Sequence, residues 1–474
     1  MNVLFCASEA APFAASGGLG DVAGSLPKAI RNRKVACRVV LPLYGDMKQE
    51  WRDKLKYVTN FNVPVGWRNQ YCGVFELTHD GVKYYFLDNE YYFKRMGLYG
   101  FYDDGERFAF FSRAILELLF HIDFKPDLIH ANDWQTALVP VYLNLYYRHL
   151  EDFKSIKTVF TIHNIQYQGK YGLEILEDTV AVSRADAHIL EYDGCCNFMK
   201  GAIECADKVT TVSPTYAGEI LDPWFSHGLD ELLRQKQYKL CGILNGIDVK
   251  SYNPATDKNL AENYDAKNFQ KGKAACKKEL QELFGLHDWP VPVVAMVTRL
   301  VGHKGVDLVR HVAQEIVNNG CQLVILGSGE NEYESFFSDL AARNPGSVGV
   351  KIGFIPSLAR KVYAGADMFL MPSKSEPCGL SQMVALRYGT IPIVRETGGL
   401  RDSIQDSGDG KGNGFTFASY SAHDMLRAVL RAKEGYENPE GWQVLVKRAL
   451  DCDFSWSASA KQYVEMYEQV CALW

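Results

Sequence analysis

Short apolar runs rich in β-branched residues alternate with helical patterns along the whole chain, and this alternation limits the fold more than any other feature. In the first half the strand candidates are residues 3–7, 37–41, 127–130, 158–163, 208–212 and 240–244. Between them, residues 104–121 carry Phe108, Phe111 and Ile115 at helical spacing. Strands that alternate with helices are typical of parallel sheets covered on both faces, so the pattern predicts an α/β fold.

The second half repeats the pattern. Its strand candidates are residues 292–298, 321–326, 349–353, 368–371 and 391–394. A chain of 474 residues exceeds the usual size of a single core, and the stretch 247–268 has neither strand nor helix periodicity. We therefore predict two doubly wound, Rossmann-like domains, residues 1–246 and 247–455, that face a central cleft.

A short motif recurs in both halves. Residues 16–21 (SGGLGD) resemble residues 397–402 (TGGLRD), and each motif follows an apolar run and precedes a helical pattern. Paired glycines at a helix start let the backbone approach a ligand and present free N–H groups to it. Ligands in such sheets lie beyond the carboxyl ends of the strands, so the loops there are the expected sites of chemistry.

Composition excludes several classes of function. The formal net charge of −6 argues against a nucleic-acid-binding role, which usually needs a basic face. No apolar run approaches the ~20 residues of a membrane span, and the N-terminus lacks the pattern of a signal peptide, so we expect a cytoplasmic protein without a membrane partner. The 12 cysteines are scattered without a CxxC pair, which indicates buried reduced thiols and predicts no metal site.

Two loops of the second half carry charged groups suited to a sugar nucleotide. Arg299 and Lys304 follow a strand at a helix start, where a guanidinium fork and an ammonium suit a diphosphate. A solvated helix start is the alternative. Glu376 follows the strand at 368–371 and can hold sugar hydroxyls or balance positive charge on a sugar ring, although a helix-capping carboxylate would look the same.

Three loops of the first half end strands with polar residues. His163 ends the strand at 158–163, and a satisfied core histidine is the alternative to a functional one. Asn245 closes another strand and also suits a plain turn. Asp133 and Trp134 combine a carboxylate with an indole, which suits a sugar but also an ordinary helix cap.

These motifs together resemble one family. The runs 8–9 with 16–22, 130–134, 163–169, 245–248, 299–305, 376–380 (EPCGL) and 397–400 occur in the order found in bacterial glycogen synthases and plastid starch synthases. The resemblance covers essentially the whole chain, and the EPCGL run is its most specific part.

The resemblance implies a GT-B fold whose C-terminal helix, within residues 456–474, crosses back to the first domain. It implies retaining transfer of glucose from ADP-glucose to the non-reducing end of an α-1,4-glucan, with release of ADP and with no metal or other cofactor. Tyr463, Met466 and Tyr467 lie along one face of the predicted terminal helix. The sequence indicates no particular oligomeric state.

Site residues follow from the same resemblance. Glu376, His163, Arg299 and Lys304 would be catalytic, with the two cations on the diphosphate. The donor would also be bound by a second group of residues: Gly17, Gly18, Asp21, Asn245, Phe354, Cys378, Gly379, Leu380 and Ser381. Phe354 would lie against the base, and front-face attack is favoured over a covalent intermediate.

Residue 15 departs from the family pattern. Family members commonly carry a lysine two residues before the first glycine of the motif, where this chain has Ala15. Losing one charged contact to the phosphates costs roughly 1.5–3 kcal/mol of binding free energy. We therefore expect weaker or differently organised donor binding.

The acceptor side is the least defined. Residues 84–111 are dense in aromatic side chains that stack on sugars or pack a core. From this stretch and the motifs above, Phe93, Asp133, Trp134, Asn164 and Gln168 are candidate acceptor contacts. Two alternatives remain: a related transferase that uses UDP-glucose or a small acceptor, and a glucan-binding protein that has lost catalysis.

Overall fold

The computed structural model describes residues 1–472 and divides the chain into two compact units. The first unit comprises residues 1–243 together with the segment that begins at Trp456, and the second comprises Leu244–Ser455. The predicted boundary after residue 246 lies three residues beyond this division. Leu473 and Trp474, which belong to the predicted C-terminal segment, lie outside the described residues.

The first unit is built on a nine-stranded sheet. The strands of this unit, including three outside that sheet, are β1 (Asn2–Cys6), β2 (Ala36–Pro42), β3 (Lys56–Val65), β4 (Arg68–His79), β5 (Val82–Asp88), β6 (Leu128–Asn132), β7 (Lys157–Ile162), β8 (Lys170–Tyr171), β9 (Glu191–Tyr192), β10 (Cys195–Asn197), β11 (Lys208–Thr211) and β12 (Leu240–Gly242). The order is β12-β11-β7-β6-β1-β2-β5-β4-β3, while β8, β10 and β9 form a small separate sheet. The six strands from β12 to β2, and β5 beside them, are parallel.

Strands β3 and β4 form an antiparallel hairpin that the alternation of strands and helices did not predict. Strand β3 alternates between exposed and buried residues along its second half, because it lies at the sheet edge with one face in water. A half-exposed strand lacks the continuous apolar run that marks the buried parallel strands.

Helices surround the parallel strands of the first unit. They are α1 (Gly18–Arg31), α2 (Gln49–Arg52), α3 (Glu90–Phe93), α4 (Asp104–Leu118), α5 (Leu138–Tyr142), α6 (Ile175–Asp178), α7 (Phe198–Cys205), α8 (Pro214–Glu219) and α9 (Asp230–Gln235). Helix α1 buries Leu19, Val22, Leu26 and Ile30, whose spacing of three and four residues places them on one face.

The second unit has a six-stranded parallel sheet in the order β15-β14-β13-β16-β17-β18. Its strands are β13 (Val293–Val297), β14 (Gln322–Gly327), β15 (Val348–Ile352), β16 (Met368–Met371), β17 (Ile391–Arg395) and β18 (Phe415–Phe417). Its helices are α10 (Phe269–Leu283), α11 (Val306–Asn318), α12 (Asn331–Arg343), α13 (Pro356–Gly365), α14 (Ser381–Arg387), α15 (Gly398–Ser403), α16 (Ala422–Tyr436) and α17 (Pro439–Leu450). The predicted α/β class with two doubly wound units is therefore confirmed.

The last helix, α18 (Trp456–Cys471), belongs to the first unit. It packs against α1, and its Tyr463, Met466, Tyr467 and Val470 are buried in the core that β1, β2 and α1 share. Among residues 1–472, no helix combines the length and apolar character that a membrane span requires.

Candidate active site

Three loops of the second unit lie side by side at one edge of its sheet. Strands β13, β16 and β17 are neighbours, and they lead into residues 298–305, 372–380 and 396–398 respectively. Because the carboxyl ends of parallel strands meet at one edge, the predicted residues Arg299, Lys304 and Glu376 come to the same edge.

Glu376 and Lys304 form a nearly buried ion pair there. The Lys304 Nζ donates to both carboxylate oxygens of Glu376, at 3.0 Å to Oε1 and 2.7 Å to Oε2. The Ser373 hydroxyl donates to Oε2 at 2.9 Å. The Glu376 side chain is 10% exposed and that of Lys304 is 20% exposed, so the pair is fixed but reachable from solvent.

Backbone contacts lock these loops together. The Lys374 N–H donates to the His303 carbonyl at 2.9 Å. Gly305 has a φ of +75°, and a Cβ at this position would lie 2.1 Å from the Pro372 carbonyl oxygen. The glycine that opens α11 is therefore required by close packing of one loop on the other.

The second Gly-Gly motif also serves packing. A Cβ on Gly398 would lie 2.0 Å from the Glu376 carbonyl oxygen, and a Cβ on Gly399 would lie 2.0 Å from the Cys378 carbonyl oxygen. The Gly399 N–H donates to the carbonyls of Glu376 and Pro377, each at 3.1 Å. The sequence interpretation, in which these glycines let a ligand approach, needs correction here: they let the backbone that carries Glu376 approach.

Cys378 and Asn245 lie together beside this loop. The Asn245 backbone N–H bonds to the Cys378 sulfur, and burial raises the pKa of that thiol to about 12. The Cys378 thiol is therefore protonated at neutral pH and does not act as a nucleophile. Asn245 is 7% exposed, and its buried Oδ1 has no hydrogen-bond partner among the described residues, which leaves an acceptor for a ligand hydroxyl.

The remaining donor-side candidates surround this pair. Gly379 has a φ of +71°, and Leu380 precedes α14, whose first residue Ser381 accepts a 3.1 Å bond from the Tyr363 hydroxyl. Arg299 is exposed in the loop after β13. Phe354 follows β15 and is 77% exposed, so its ring is available to stack on a planar group.

The first Gly-Gly motif has an open environment, in contrast to the second. A Cβ on Gly18 would meet nothing within 4 Å, and Gly17 is the extended residue that precedes α1. Asp21 lies in the first turn of that helix, and burial raises the pKa of its carboxyl group. Ala15 is exposed in the preceding loop.

Glu9 organises this loop, a role that the sequence did not reveal. Its buried carboxylate accepts from the Ser16 backbone N–H and, at 2.9 Å, from the Ser16 hydroxyl. Burial raises the pKa of Glu9 despite these bonds, and the nearby charge of Asp21 adds to the rise. The Ser8-Glu9 pair at the end of β1 was part of the family motif and could have indicated this role.

His163 is held as a neutral imidazole at the end of β7. Its Nε2 lies 2.8 Å from Asn132 Oδ1, and the Asn132 Nδ2 in turn donates to the Cys6 carbonyl at 3.0 Å. These bonds assign the proton to His163 Nε2 and leave Nδ1 as an acceptor. Burial lowers the pKa of His163 to about 3, so the ring carries no charge at neutral pH.

Asp133 lies next to His163 at the same sheet edge. Its Oδ1 accepts from the backbone N–H groups of His163 at 2.7 Å and Asn164 at 3.3 Å. Burial raises its pKa to about 7 although these bonds oppose the rise. Asp133 has a φ of +58° and a ψ of 178°, a strained backbone conformation that is otherwise found almost only at glycine.

One acceptor candidate proves to be internal, and a second is largely buried with its amide held by the protein. The Phe93 side chain is completely buried, where it contacts the Arg107 guanidinium and the Phe110 and Phe111 rings, so the prediction that it contacts a glucan is wrong. Gln168 is 3% exposed and its amide bonds internally to the Ile165 and His227 carbonyls and to Asn197. The packing interpretation holds for Phe93, because aromatic density alone does not separate a core from a surface.

The remaining acceptor candidates lie in or near a cavity of about 400 Å³, which Gln168 also lines. Trp134 is 9% exposed and packs edge-on against Phe108, with its ring on one wall of this cavity. Tyr167, which is 60% exposed, and Tyr171 also line it. Asn164 is exposed just before this segment. Aromatic walls with polar neighbours suit a sugar ring.

Comparisons with known proteins agree along the full length. Residues 2–235 match the family described as "Starch synthase catalytic domain", and residues 286–443 match "Glycosyl transferases group 1". The chain is 53% identical to a glycogen synthase of Geobacillus thermodenitrificans over 99% of this chain and 98% of that protein. It is 50% identical to a glycogen synthase of Bacillus anthracis over 99% of this chain and all of that protein.

Solved structures give the same picture. The catalytic domain of starch synthase IV from Arabidopsis thaliana, bound to ADP and acarbose, superposes with a TM-score of 0.87 at 36% identity and covers 100% of this chain and 99% of that one. A sucrose-phosphate synthase from Thermosynechococcus elongatus, 18% identical with a TM-score of 0.61, shares the fold.

Proposed function

The chain belongs to the family of bacterial glycogen synthases and starch synthases, and from that premise we propose how its residues transfer glucose. It is a glucosyltransferase of glycogen synthesis. The donor is ADP-glucose, the acceptor is the non-reducing end of an α-1,4-glucan, and ADP is released. The single observation that carries the proposed mechanism is the fixed Lys304–Glu376 pair at the sheet edge of the second unit.

Lys304 and Arg299 bind the donor diphosphate. Lys304 has three N–H donors, and two of them are used by Glu376, so the third is left for a phosphate oxygen. The Arg299 fork binds two further oxygens. As the bond to glucose breaks, negative charge grows on the diphosphate, and cations already in place stabilise it. The positive charges of Lys304 and Arg299 balance the negative charge on the diphosphate, a task for which other transferases use a metal ion. We therefore propose a reaction without a metal or cofactor.

Glu376 and Asn245 hold the glucose. The Glu376 carboxylate accepts from sugar hydroxyls and balances the positive charge that develops on the ring. The Asn245 Oδ1, which is buried and without a partner among residues 1–472, accepts from another hydroxyl. Cys378 forms a protonated wall, Phe354 stacks on the base, and Gly379 to Ser381 contribute backbone N–H groups.

In the first unit, His163, the Gly17–Gly18 turn and the cavity beside Trp134 have assigned roles. His163 is neutral, and its Nδ1 accepts from a glucose hydroxyl. The backbone of the Gly17–Gly18 turn contacts the donor phosphates, because open space surrounds Gly18. The glucan lies along the cavity lined by Trp134 and Tyr167, and Asp133 directly precedes Trp134 in the chain.

Retention of configuration follows from front-face attack. The acceptor hydroxyl attacks glucose on the face from which the diphosphate leaves, and the departing phosphate oxygen takes the hydroxyl proton. Asp133, with its pKa near 7, is protonated in a large fraction of molecules at neutral pH, which makes it a poor nucleophile for a covalent intermediate. A cytoplasmic location belongs to the same proposal, and it rests on the bacterial relatives.

Incorporation of radiolabelled glucose into glycogen tests the proposal. We expect transfer from ADP-glucose that persists in excess EDTA and exceeds transfer from UDP-glucose in initial-rate measurements. A strong preference for UDP-glucose would overturn the donor assignment. Loss of activity in EDTA, restored by one divalent metal, would overturn the metal-free mechanism.

A further inference from the structure

A second polar cavity lies in the first unit at the sheet edge opposite to His163. It has a volume of about 690 Å³ and is lined at the amino ends of β1, β2 and β5, by Asn2, Arg38 and Lys83 among others. His163 and Asp133 follow the carboxyl ends of β7 and β6, so the whole length of the sheet separates the two places.

The cavity lining is cationic. Four basic residues, Arg31, Arg38, Lys83 and Lys125, line it, against one carboxylate, that of Asp123. Lys83 is paired with Glu76 at 2.9 Å and Lys125 with Asp152 at 2.7 Å. Neither Arg31 nor Arg38 has an ion-pair partner among residues 1–472, so two guanidinium charges remain uncompensated.

Arg38 is held in place although its charge is not balanced. It is half-buried, its guanidinium carbon lies 4.4 Å from the centre of the Phe124 ring, and one N–H donates to the Tyr85 hydroxyl. A guanidinium has five N–H donors. The others have no hydrogen-bond acceptor in the part of the chain that the structure describes.

Strand register places like charges side by side. Arg38 and Lys83 are direct partners in the parallel pair β2–β5, so their backbones lie about 4.8 Å apart. Like charges directly opposite each other on neighbouring strands destabilise a sheet, and the Glu76 partner of Lys83 leaves Arg38 as the unbalanced member of this pair. Arg31, in the last turn of α1, adds a third positive charge to the same cavity. An anion bound here would relieve this repulsion.

We propose that this cavity binds a small phosphorylated metabolite through Arg31 and Arg38. A phosphate dianion matches the two uncompensated guanidinium groups, and the planar fork of arginine suits phosphate oxygens. The volume falls in the range of small-molecule sites and exceeds the needs of a bare phosphate. The exposed Thr78 hydroxyl, opposite Lys83 in the β4–β5 register, suits the hydroxyl groups of a sugar moiety.

Calorimetric titration of the full-length protein at fixed ionic strength tests the proposal. The probes are fructose 6-phosphate, inorganic phosphate and fructose. We expect fructose 6-phosphate to bind and fructose not to bind. Tighter binding of fructose 6-phosphate than of inorganic phosphate identifies a phosphorylated sugar as the ligand, and equal binding identifies free phosphate.

Two charge-removing variants locate the site. Arg31→Gln should weaken binding at least about tenfold, because it removes one charged contact to phosphate. Lys34→Gln removes the same charge three residues away, from an exposed residue outside the cavity, and should change the affinity less than twofold. Arg38→Lys keeps the charge but removes the fork, and it should also weaken binding.

Thermal unfolding without ligand checks that the variants fold. Arg31→Gln should unfold at the same temperature as the parent or higher, because it relieves repulsion. Absence of binding by both phosphates, equal loss in Arg31→Gln and Lys34→Gln, or competition by ADP would each overturn the proposal. Tighter binding of a single-stranded oligonucleotide that displaces fructose 6-phosphate would overturn it in favour of a nucleic-acid site.

Discussion

Both carboxylate oxygens of Glu376 are occupied by hydrogen bonds from Lys304 and Ser373. Replacement by glutamine keeps the shape but removes the charge that orients Lys304 and balances the glucosyl cation. We expect Glu376→Gln to lower kcat about 10²- to 10³-fold, the scale of losing one preorganised electrostatic group. The rate of radiolabel transfer at saturating ADP-glucose measures kcat for the variant and the parent.

Glu279→Gln is the matched control for this change. Glu279 pairs with Lys361 at 2.6 Å and is also partly exposed, but it lies on α10, away from the loops that follow the strands. Its loss should leave kcat within twofold. Similar kcat values for the two variants would contradict the assigned role of Glu376.

The raised pKa of Asp133 should make its contribution to stability depend on pH. Its pKa is about 7 in the native state and about 3.9 in an unfolded chain, so between these values the native state binds more protons. The contribution of Asp133 to the free energy of unfolding therefore falls as the pH rises from 4 to 7. Asp133→Asn cannot titrate, and the asparagine Oδ1 can keep the bonds from the His163 and Asn164 backbone N–H groups.

The variant should accordingly become more stable relative to the parent as the pH rises from 4 to 7, and the difference should then level off. Chemical denaturation at several pH values measures this difference, in which the effects of His130 and His163 cancel. A difference that stays constant from pH 4 to 8 would show that Asp133 ionises normally.

Replacing Ala15 by lysine should improve donor binding. An ammonium at this exposed position, next to the open Gly17–Gly18 turn, would gain a charged contact to the phosphates. We expect Ala15→Lys to lower the KM for ADP-glucose about tenfold or more. Ala274→Lys, on an exposed face of α10, is the control and should leave KM unchanged. An unchanged KM in Ala15→Lys would mean that the site is organised without that cation.

At the scale of elements, alanine substitutions in the two Gly-Gly motifs should differ in their effect on the free energy of unfolding. Gly399→Ala places a Cβ 2.0 Å from the Cys378 carbonyl and must move the Glu376 loop, so we expect about 1–3 kcal/mol of lost stability and a large loss of kcat. Gly18→Ala meets open space and should leave the free energy of unfolding within about 0.5 kcal/mol. Chemical denaturation of both variants measures the two free energies of unfolding. Equal destabilisation would contradict the proposal that only the second motif is tightly packed.

This contrast also shows how far sequence reasoning reaches. Most of the buried parallel strands were predicted within one or two residues, because a strand such as β16 (Met368–Met371) is a continuous apolar run. The parallel strands β5 and β18 were missed. Loops at their carboxyl ends followed from topology. What a glycine approaches, or whether Phe93 faces solvent, depends on residues far away in the chain, and local periodicity carries no information about them. The Glu9–Ser16 contact was missed for the same reason.

At the scale of the whole molecule, the last helix completes the core of the first unit. Tyr467 donates to or accepts from His130 Nδ1 at 2.7 Å, and His130 Nε2 lies 2.6 Å from the Thr161 hydroxyl. Tyr463 and Tyr467 are both completely buried. A fully buried large side chain contributes about 3–5 kcal/mol on truncation, so the first unit cannot reach full stability without α18.

The two units should therefore differ when they are produced separately. Residues 244–455 contain every strand of the second sheet and should fold alone with a cooperative unfolding transition. Residues 1–243 lack α18 and expose the surface that it covers, so they should unfold at much lower denaturant concentration or aggregate. Adding a peptide of residues 456–472 should restore part of their stability, whereas the same peptide with Tyr463 and Tyr467 changed to serine should not. Equal stability of residues 1–243 with and without the peptide would mean that the first core closes without its last helix.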